Sequence, residues 1–139
     1  MLFRSMKSKF TAQDFMSKDL VTFKPDTQME FAISTLLEHK ISGAPVVDET
    51  GGLVGMLSEK DCLNTLFEST YYNNPGGHVS DHMTTTLSTV DCEMSLADVA
   101  KLFMETRFRR YPVLCEGKLV GQISRRDILK AINHMTKNQ

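Results

Sequence analysis

What this chain of 139 residues has little of narrows its class first. It holds 3 cysteines, Cys62, Cys92 and Cys115, an odd number with no C-x-x-C pair. That fits reduced thiols in a cytoplasmic protein better than a disulfide framework or a zinc site. No run approaches the roughly 18 apolar residues of a transmembrane helix. The opening stretch carries Arg4, Lys7 and Lys9 but no apolar core, unlike a secretory signal. Charge of either sign is not in excess: Lys plus Arg total 16, Asp plus Glu 17, and the formal net charge is -1. So even a balance argues against a surface built to grip nucleic acid or an anionic membrane. Catalytic signatures are missing as well. There is no H-E-x-x-H, P-loop or G-x-G-x-x-G, and His39, His78, His82 and His134 are dispersed outside any nucleophile–base pattern. What remains, 41% hydrophobic and 24% charged residues, is ordinary for a globular domain able to bury a core.

What is there is a repeat. GGLVGMLSEKDCL at Gly51 to Leu63 answers GKLVGQISRRDIL at Gly117 to Leu129, so that Ser58 and Asp61 match Ser124 and Asp127 at a displacement of 66 positions. Upstream, Ala44-Pro45-Val46-Val47 matches Tyr111-Pro112-Val113-Leu114, and Asp14-x-Met16 matches Asp81-x-Met83, at a displacement of 67. The first copy therefore has one extra residue in its Asp48–Gly52 turn, where a hairpin tolerates insertion. The Asn, Pro and Gly of YYNNPGGH, Tyr71 to His78, read as a connecting loop.

Each copy reads as β-α-β-β-α. A short extended piece, Leu20-Val21-Thr22 or Leu87-Ser88-Thr89, precedes a helix start. Thr27 and Glu30 have the spacing of a capping box, and Ser95 and Asp98 give a similar one. Met29, Ile33, Leu36 and Leu37 fall at helical spacing, as do Leu96, Val99, Leu102 and Phe103. Two extended segments joined by a tight turn follow, Ala44–Val47 to Leu53–Leu57 and Tyr111–Leu114 to Leu119–Ile123. A second helix opens at Ser58 or Ser124 and runs to about Phe67 or His134. Met29, Met94 and Met104 are expected at core positions, and His82, aligned with Phe15, is expected to pack. The fold class is α+β, with small mixed sheets covered by helices on one face. The expected boundaries are a tail at 1–10, repeat one at 11–68, a connector at 69–79, repeat two at 80–134 and a tail at 135–139. A repeat of roughly 55–60 residues is marginal alone, so the two are expected to pack as one pseudo-twofold pair.

The order F-M-x(5)-T, helix, I-S-G-A-P-V-V-D, G-L-V-G-M-L-S-E-K-D, with H-M, F-R-R-Y-P-V-L and G-K-L-V-G-Q-I-S-R-R-D in the second copy, resembles the CBS domain. The resemblance covers about Thr11 to Ile132 and implies a tandem CBS pair, or Bateman module. It further implies an adenosine-containing ligand in clefts between the repeats, and dimerisation into flat discs.

Ser58-x-x-Asp61 and Ser124-x-x-Asp127 have two compatible readings. As helix caps, serine accepts from the N3 amide and aspartate supports the dipole. As a ligand site, the helix N-terminus offers N–H groups to an anion and the carboxylate accepts ribose hydroxyls. The resemblance puts the family's ribose-binding aspartate on Asp61 and Asp127. It also puts the family's phosphate-binding basic residues on Arg109 and Arg110, which stand where the first copy has Ser42 and Gly43. With Arg125 and Arg126 they form either a solvated basic face or a bidentate phosphate site. The preferred cleft is therefore Leu20, Val21, Ile41, Ser42, Arg109, Arg110, Gln122, Ser124 and Asp127. Apolar Leu20, Val21 and Ile41 suit a purine face. A second, weaker cleft would use Met56, Ser58, Asp61, Leu87, Ser88 and Phe108, without a phosphate-binding cation at Gly43.

The expectation is a non-catalytic sensor with no required cofactor or metal. It binds AMP ahead of ATP or ADP and reports energy state to an effector protein on another chain. S-adenosylmethionine and NAD are competing ligands, the former disfavoured beside arginines by its sulfonium charge. A homodimer is expected; a membrane partner is not, and nucleic acid is disfavoured by the charge balance. The alternative is a structural dimerisation module in which Ser58 and Ser124 only cap helices.

Overall fold

The computed structural model describes residues 10–72 and 76–137, with backbone alone for 68–72. Residues 1–9 of the expected tail at 1–10, the connector residues 73–75 and the last two residues lie outside the described residues. The elements are α1 (Ala12–Phe15), α2 (Met29–His39), β1 (Gly43–Val47), β2 (Leu53–Ser58), α3 (Glu59–Tyr72), a 3-10 turn (Val79–Asp81), β3 (Val90–Asp91), α4 (Leu96–Glu105), β4 (Arg110–Cys115), β5 (Lys118–Ser124) and α5 (Arg125–Lys137). The chain is α+β, as its sequence implies.

The elements gather into two compact units whose membership does not follow chain order. One is Val21–Leu87; the other joins the chain up to Leu20 to everything from Ser88 onward. Each repeat thus carries, as its cap, the short segment that precedes the other repeat in sequence.

In the unit containing repeat two, β3 runs parallel to β4 and β4 antiparallel to β5. Ser17 extends the sheet by pairing with Gln122, with bonds of 2.8 and 2.9 Å in the two directions. The amide of Ala12 donates to the Met94 carbonyl at 2.9 Å and that of Gln13 to the Cys92 carbonyl at 3.1 Å. Beneath the sheet lies a core of Val90, Leu96, Val99, Tyr111, Val113, Ile123, Ile128 and Ala131, joined by Ala12 from the N-terminal segment. Burying one such aliphatic side chain is worth about 1.5–3 kcal/mol.

The other unit repeats this plan in its strand pairings. Phe23 pairs in parallel with Val46, β1 lies antiparallel to β2, and Thr84 pairs with Met56. The amides of Val79 and Ser80 donate to the carbonyls of Thr27 and Pro25 at 2.8 and 2.9 Å, the counterparts of the Ala12 and Gln13 bonds. Its core holds Phe23, Met29, Ala32, Leu36, Val46, Leu57 and Val79. Both hairpins carry a register shift at the same point, after Val46 and after Val113. Gly51 and Gly52 lie in the first hairpin turn, where Asp48 Oδ1 accepts from the amides of Thr50 and Gly52, both at 2.9 Å.

Several expectations are corrected in detail. The extended pairing falls on Phe23 and Val90–Asp91, just after Leu20–Thr22 and Leu87–Thr89, because Phe23 and Val90 are the buried side chains. The Thr27–Glu30 box does not form. The α2 N-cap is Gln28, Thr27 Oγ1 accepts from the Lys24 amide at 3.1 Å, and the Met29 amide is satisfied by the Gly77 carbonyl. A neighbouring segment has taken over the capping. Ser95 does cap α4, accepting from the Asp98 amide at 3.1 Å. α3 and α5 run further than expected, to Tyr72 and Lys137.

Met29 is fully buried and Met94 packs at the core edge, but Met104 is 88% exposed. It follows Phe103 by about 100° around the helix and so turns off the buried face. His82 also hydrogen-bonds, its Nε2 lying 2.6 Å from the Gly76 carbonyl oxygen. The reading of three reduced thiols is overturned: Cys92 and Cys115 form a disulfide, with Cα atoms 5.3 Å apart, and Cys62 is the free cysteine. Parallel pairing of β3 with β4 brings together two residues that are 23 positions apart in sequence.

Candidate ligand-binding site

The expected site residues fall in both units, and each unit's geometry is given by itself. In the unit of repeat two, β5 ends at Ser124 and α5 begins at Arg125, so Ser124 is at once the last strand residue and the helix cap. The Ser124 amide donates to Asp127 Oδ2 at 2.8 Å and the Asp127 amide donates to Ser124 Oγ at 3.1 Å, a reciprocal capping box. Asp127 is half-buried, and its Oδ1 has no hydrogen-bond partner among the described residues. Arg110 opens β4 directly across from Ser124 in the antiparallel register, and the Arg109 carbonyl accepts the Arg125 amide at 3.1 Å. The backbone around Arg109 and Arg110 is thereby tied to the start of α5, while both side chains are exposed. Arg125 Nη2 reaches the Thr106 carbonyl at 3.5 Å. Among the described residues no carboxylate lies within salt-bridge distance of Arg107, Arg109, Arg110, Arg125 or Arg126.

Backbone pairing therefore places Arg109 and Arg110 beside the start of α5, at the end of the sheet that carries Ser124 and Asp127, with the half-buried Gln122 two residues before Ser124 on β5. A ribose diol donates to a carboxylate, and guanidinium groups grip phosphate in bidentate fashion. Leu20, half-buried, is the remaining residue of the preferred cleft in this unit.

In the other unit the same box recurs with a different occupancy. The Ser58 amide and hydroxyl both donate to Asp61 Oδ2 at 2.9 Å, the Asp61 amide donates back to Ser58 Oγ at 3.2 Å, and Thr84 Oγ1 reaches Asp61 Oδ1 at 3.5 Å. Thr84 was not singled out by sequence, although its alignment with Ser17, 67 positions earlier, offered a signal. The Ser42 carbonyl accepts the Glu59 amide at 2.8 Å, the counterpart of the Arg109–Arg125 bond. Gly43 stands at the Arg110 position with the backbone of Leu57 so near that an added Cβ would lie 2.9 Å from its carbonyl oxygen. Val21 and Ile41 are half-buried against their own unit's core. Met56 pairs with Thr84, and Leu87 is half-buried. Ser88 and Phe108 belong to the unit of repeat two, where the Phe108 ring lies 5.5 Å from Tyr111. Burial, then the carboxylates of Asp61 and Glu59, raise the Cys62 thiol pKa.

No helix among the described residues is long and apolar enough to cross a membrane, and none of them gather into a cluster able to hold a metal ion. The CBS domain family model matches residues 12–68 and again 79–134. The chain belongs to the CBS domain family. As a tandem CBS chain it is 35% identical to the CBS domain-containing protein CBSX1, chloroplastic, of Arabidopsis thaliana, over 88% of this chain and 64% of that protein. It is 31% identical to the CBS domain-containing protein YhcV of Bacillus subtilis, over 91% of this chain and 86% of that one. It thus spans less than two thirds of the length of CBSX1. Among solved structures, the CBS-pair protein CBSX2 of Arabidopsis thaliana superposes with a TM-score of 0.79 at 34% identity, covering 94% of this chain and 99% of that one. CBSX2 is also solved in complex with AMP, and that structure matches at a TM-score of 0.78 and 35% identity, covering 91% of this chain and 98% of that one.

Proposed function

We propose that this CBS chain is a non-catalytic sensor that binds an adenine nucleotide, AMP ahead of ADP or ATP, through Asp127, Ser124, Arg109 and Arg110. The observation that carries the reading is Asp127 itself: Oδ2 is spent on the Ser124 amide while Oδ1 has no partner among the described residues, at a helix start next to unneutralised arginines. The AMP complex of CBSX2, a relative of 35% identity, supports the ligand class. The single phosphate of AMP suits Arg109 and Arg110, while S-adenosylmethionine meets them with a positive charge. The reading carries with it a cytoplasmic homodimer whose nucleotide-dependent surface is read by another protein as a signal of energy state.

Titration calorimetry with AMP, ATP, NAD and S-adenosylmethionine tests it on the wild type and on Asp127→Asn. The asparagine retains an acceptor for the Ser124 amide, so the cap survives while the charge facing the ribose is lost. Hydrogen bonds to a charged group are worth about 1.5–3 kcal/mol, so AMP affinity should fall about 10- to 100-fold with little change in melting temperature. Equal affinity in both proteins removes Asp127 from the site.

The second reading, a structural dimerisation module without ligand, is favoured by one observation: in each capping box the aspartate amide donates to the serine hydroxyl of the same helix start, as an ordinary helix cap requires. A nucleotide that binds only the native state must raise the melting temperature. A flat response at millimolar AMP, ATP, NAD and S-adenosylmethionine selects this second reading.

A further inference from the structure

The disulfide sits where repeat two receives the segment that caps it. Cys92 lies in the turn after β3, 6% exposed; Cys115 ends β4 and is half-buried. The Cys92 amide donates to the Leu114 carbonyl at 2.8 Å, and the Cys92 carbonyl accepts the Gln13 amide at 3.1 Å. Two residues on, the Met94 carbonyl accepts the Ala12 amide at 2.9 Å. The turn from Asp91 to Met94 is therefore held on one side by the sulfur bridge to β4 and holds, on the other, the start of α1. The repeat-one unit makes the corresponding junction without sulfur. Pro25 and Asp48 stand at the places of Cys92 and Cys115, and Lys24 Nζ donates to the Asp48 carbonyl oxygen at 3.1 Å. One unit's corner rests on a hydrogen bond and the other's on a bond that thiol chemistry can open.

We propose that Cys92 and Cys115 form a reversible thiol–disulfide pair that sets how firmly Phe10–Ser17 is docked on repeat two. The half-buried Cys115 sulfur is the one a thiolate from solvent reaches. Attack by a glutathione thiolate forms a mixed disulfide at Cys115 and expels the Cys92 thiolate, which takes a proton. A second glutathione thiolate then attacks the glutathione sulfur of the mixed disulfide and releases the Cys115 thiolate. The sum converts one protein disulfide and two glutathione thiols into two protein thiols and one glutathione disulfide, and oxidation runs the same steps backward. Cys62 is a poor competitor: burial, then the carboxylates of Asp61 and Glu59, disfavours its thiolate.

The full chain, equilibrated in glutathione buffers from fully reduced to fully oxidised, is quenched, unfolded and alkylated for mass spectrometry. In reducing buffer all three cysteines should label. In oxidising buffer Cys62 alone should label, and dithiothreitol added to the folded protein should restore the other two. A crosslink closing a loop of this length should raise the melting temperature of the oxidised form by about 10 °C. Hydrogen exchange at the Ala12 and Gln13 amides should be slower in the oxidised form. A Cys92→Ser/Cys115→Ser double variant should melt like the reduced wild type and ignore the glutathione ratio. The proposal is overturned if both thiols persist in oxidised glutathione, or if dithiothreitol leaves the bridge intact in the folded protein. It is equally overturned if Ala12 and Gln13 exchange alike in the two states, or if the double variant still responds to the buffer.

Discussion

The two aspartates show how one local motif acquires two capacities. Asp61 and Asp127 make the same capping box, yet Asp61 has both oxygens engaged, by Ser58 and by Thr84, while Asp127 keeps Oδ1 unengaged among the described residues. The position opposite each serine widens the difference: Arg110 faces Ser124, whereas Gly43 faces Ser58. Gly43 is not an omission that a substitution repairs. Its Cβ would meet the Leu57 carbonyl oxygen at 2.9 Å, and backbone cannot swing aside as a side-chain tip can. Gly43→Arg should therefore destabilise the chain by about 1–3 kcal/mol, measured by denaturant unfolding, and should not create a second nucleotide site in calorimetry. An unchanged stability would mean that β1 yields more readily than its pairing implies.

At the scale of elements, what was legible in the sequence is what chain neighbours decide. The hairpins are set by Asp48-to-Gly52 and Glu116-Gly117 turn chemistry between apolar runs. Ser95 caps α4 because its partner, the Asp98 amide, is three residues away. Thr27 misleads for the converse reason: the donors at the start of α2 are met by Gly77 and by pairing with His78, about fifty positions downstream, so the local box is not needed. The disulfide was illegible on the same ground, since only strand pairing joins Cys92 to Cys115. Of the candidate site, the Ser124–Asp127 and Ser58–Asp61 boxes were legible as local spacing, while the engagement of Asp61 by Thr84 was not.

The outer edges of the sheets depend on such distant partners too, and glycine permits the approach. A Cβ on Gly121 would lie 2.6 Å from Met16 Sδ and 2.7 Å from the Ser17 carbonyl oxygen; on Gly55 the comparable contacts are Met83 Sδ at 2.5 Å and the Thr84 carbonyl oxygen at 3.2 Å. A methionine tip rotates out of the way; the Ser17 backbone moves only by leaving Gln122. Gly121→Ala should therefore cost more than Gly55→Ala, about 1–3 kcal/mol against about 1 kcal/mol or less. Hydrogen exchange should show the excess at Ser17 and Gln122, and equal costs for the two would mean that Ser17 yields as easily as the methionine tips.

For the whole molecule, the exchange of capping segments makes chain order a poor guide to cooperative structure. Ala12 is fully buried in the core of repeat two, Phe10, Phe15 and Met16 pack against that core, and Ser17 completes its sheet. Val79 plays Ala12's part in the core of repeat one, with Met83 packed at its edge. A chain beginning at Val21 consequently keeps every described residue of one unit and strips the other of a buried side chain, the bridge at its sheet edge and the bonds to Cys92, Met94 and Gln122. Loss of one or two buried apolar side chains costs about 2–5 kcal/mol, a large share of the stability of a domain this size. Truncation to Val21 should therefore unfold or loosen the distant repeat and spare the adjacent one. Amide protection at Val113, Ile123 and Ile128 should collapse, while that at Val46, Leu57 and Leu36 persists. Adding back a peptide of residues 1–20 should restore the lost protection in a saturable way. If instead the truncation exposed Val46 and Leu57 first, the N-terminal segment would serve the repeat it precedes, and the exchange of caps that defines both units would be wrong.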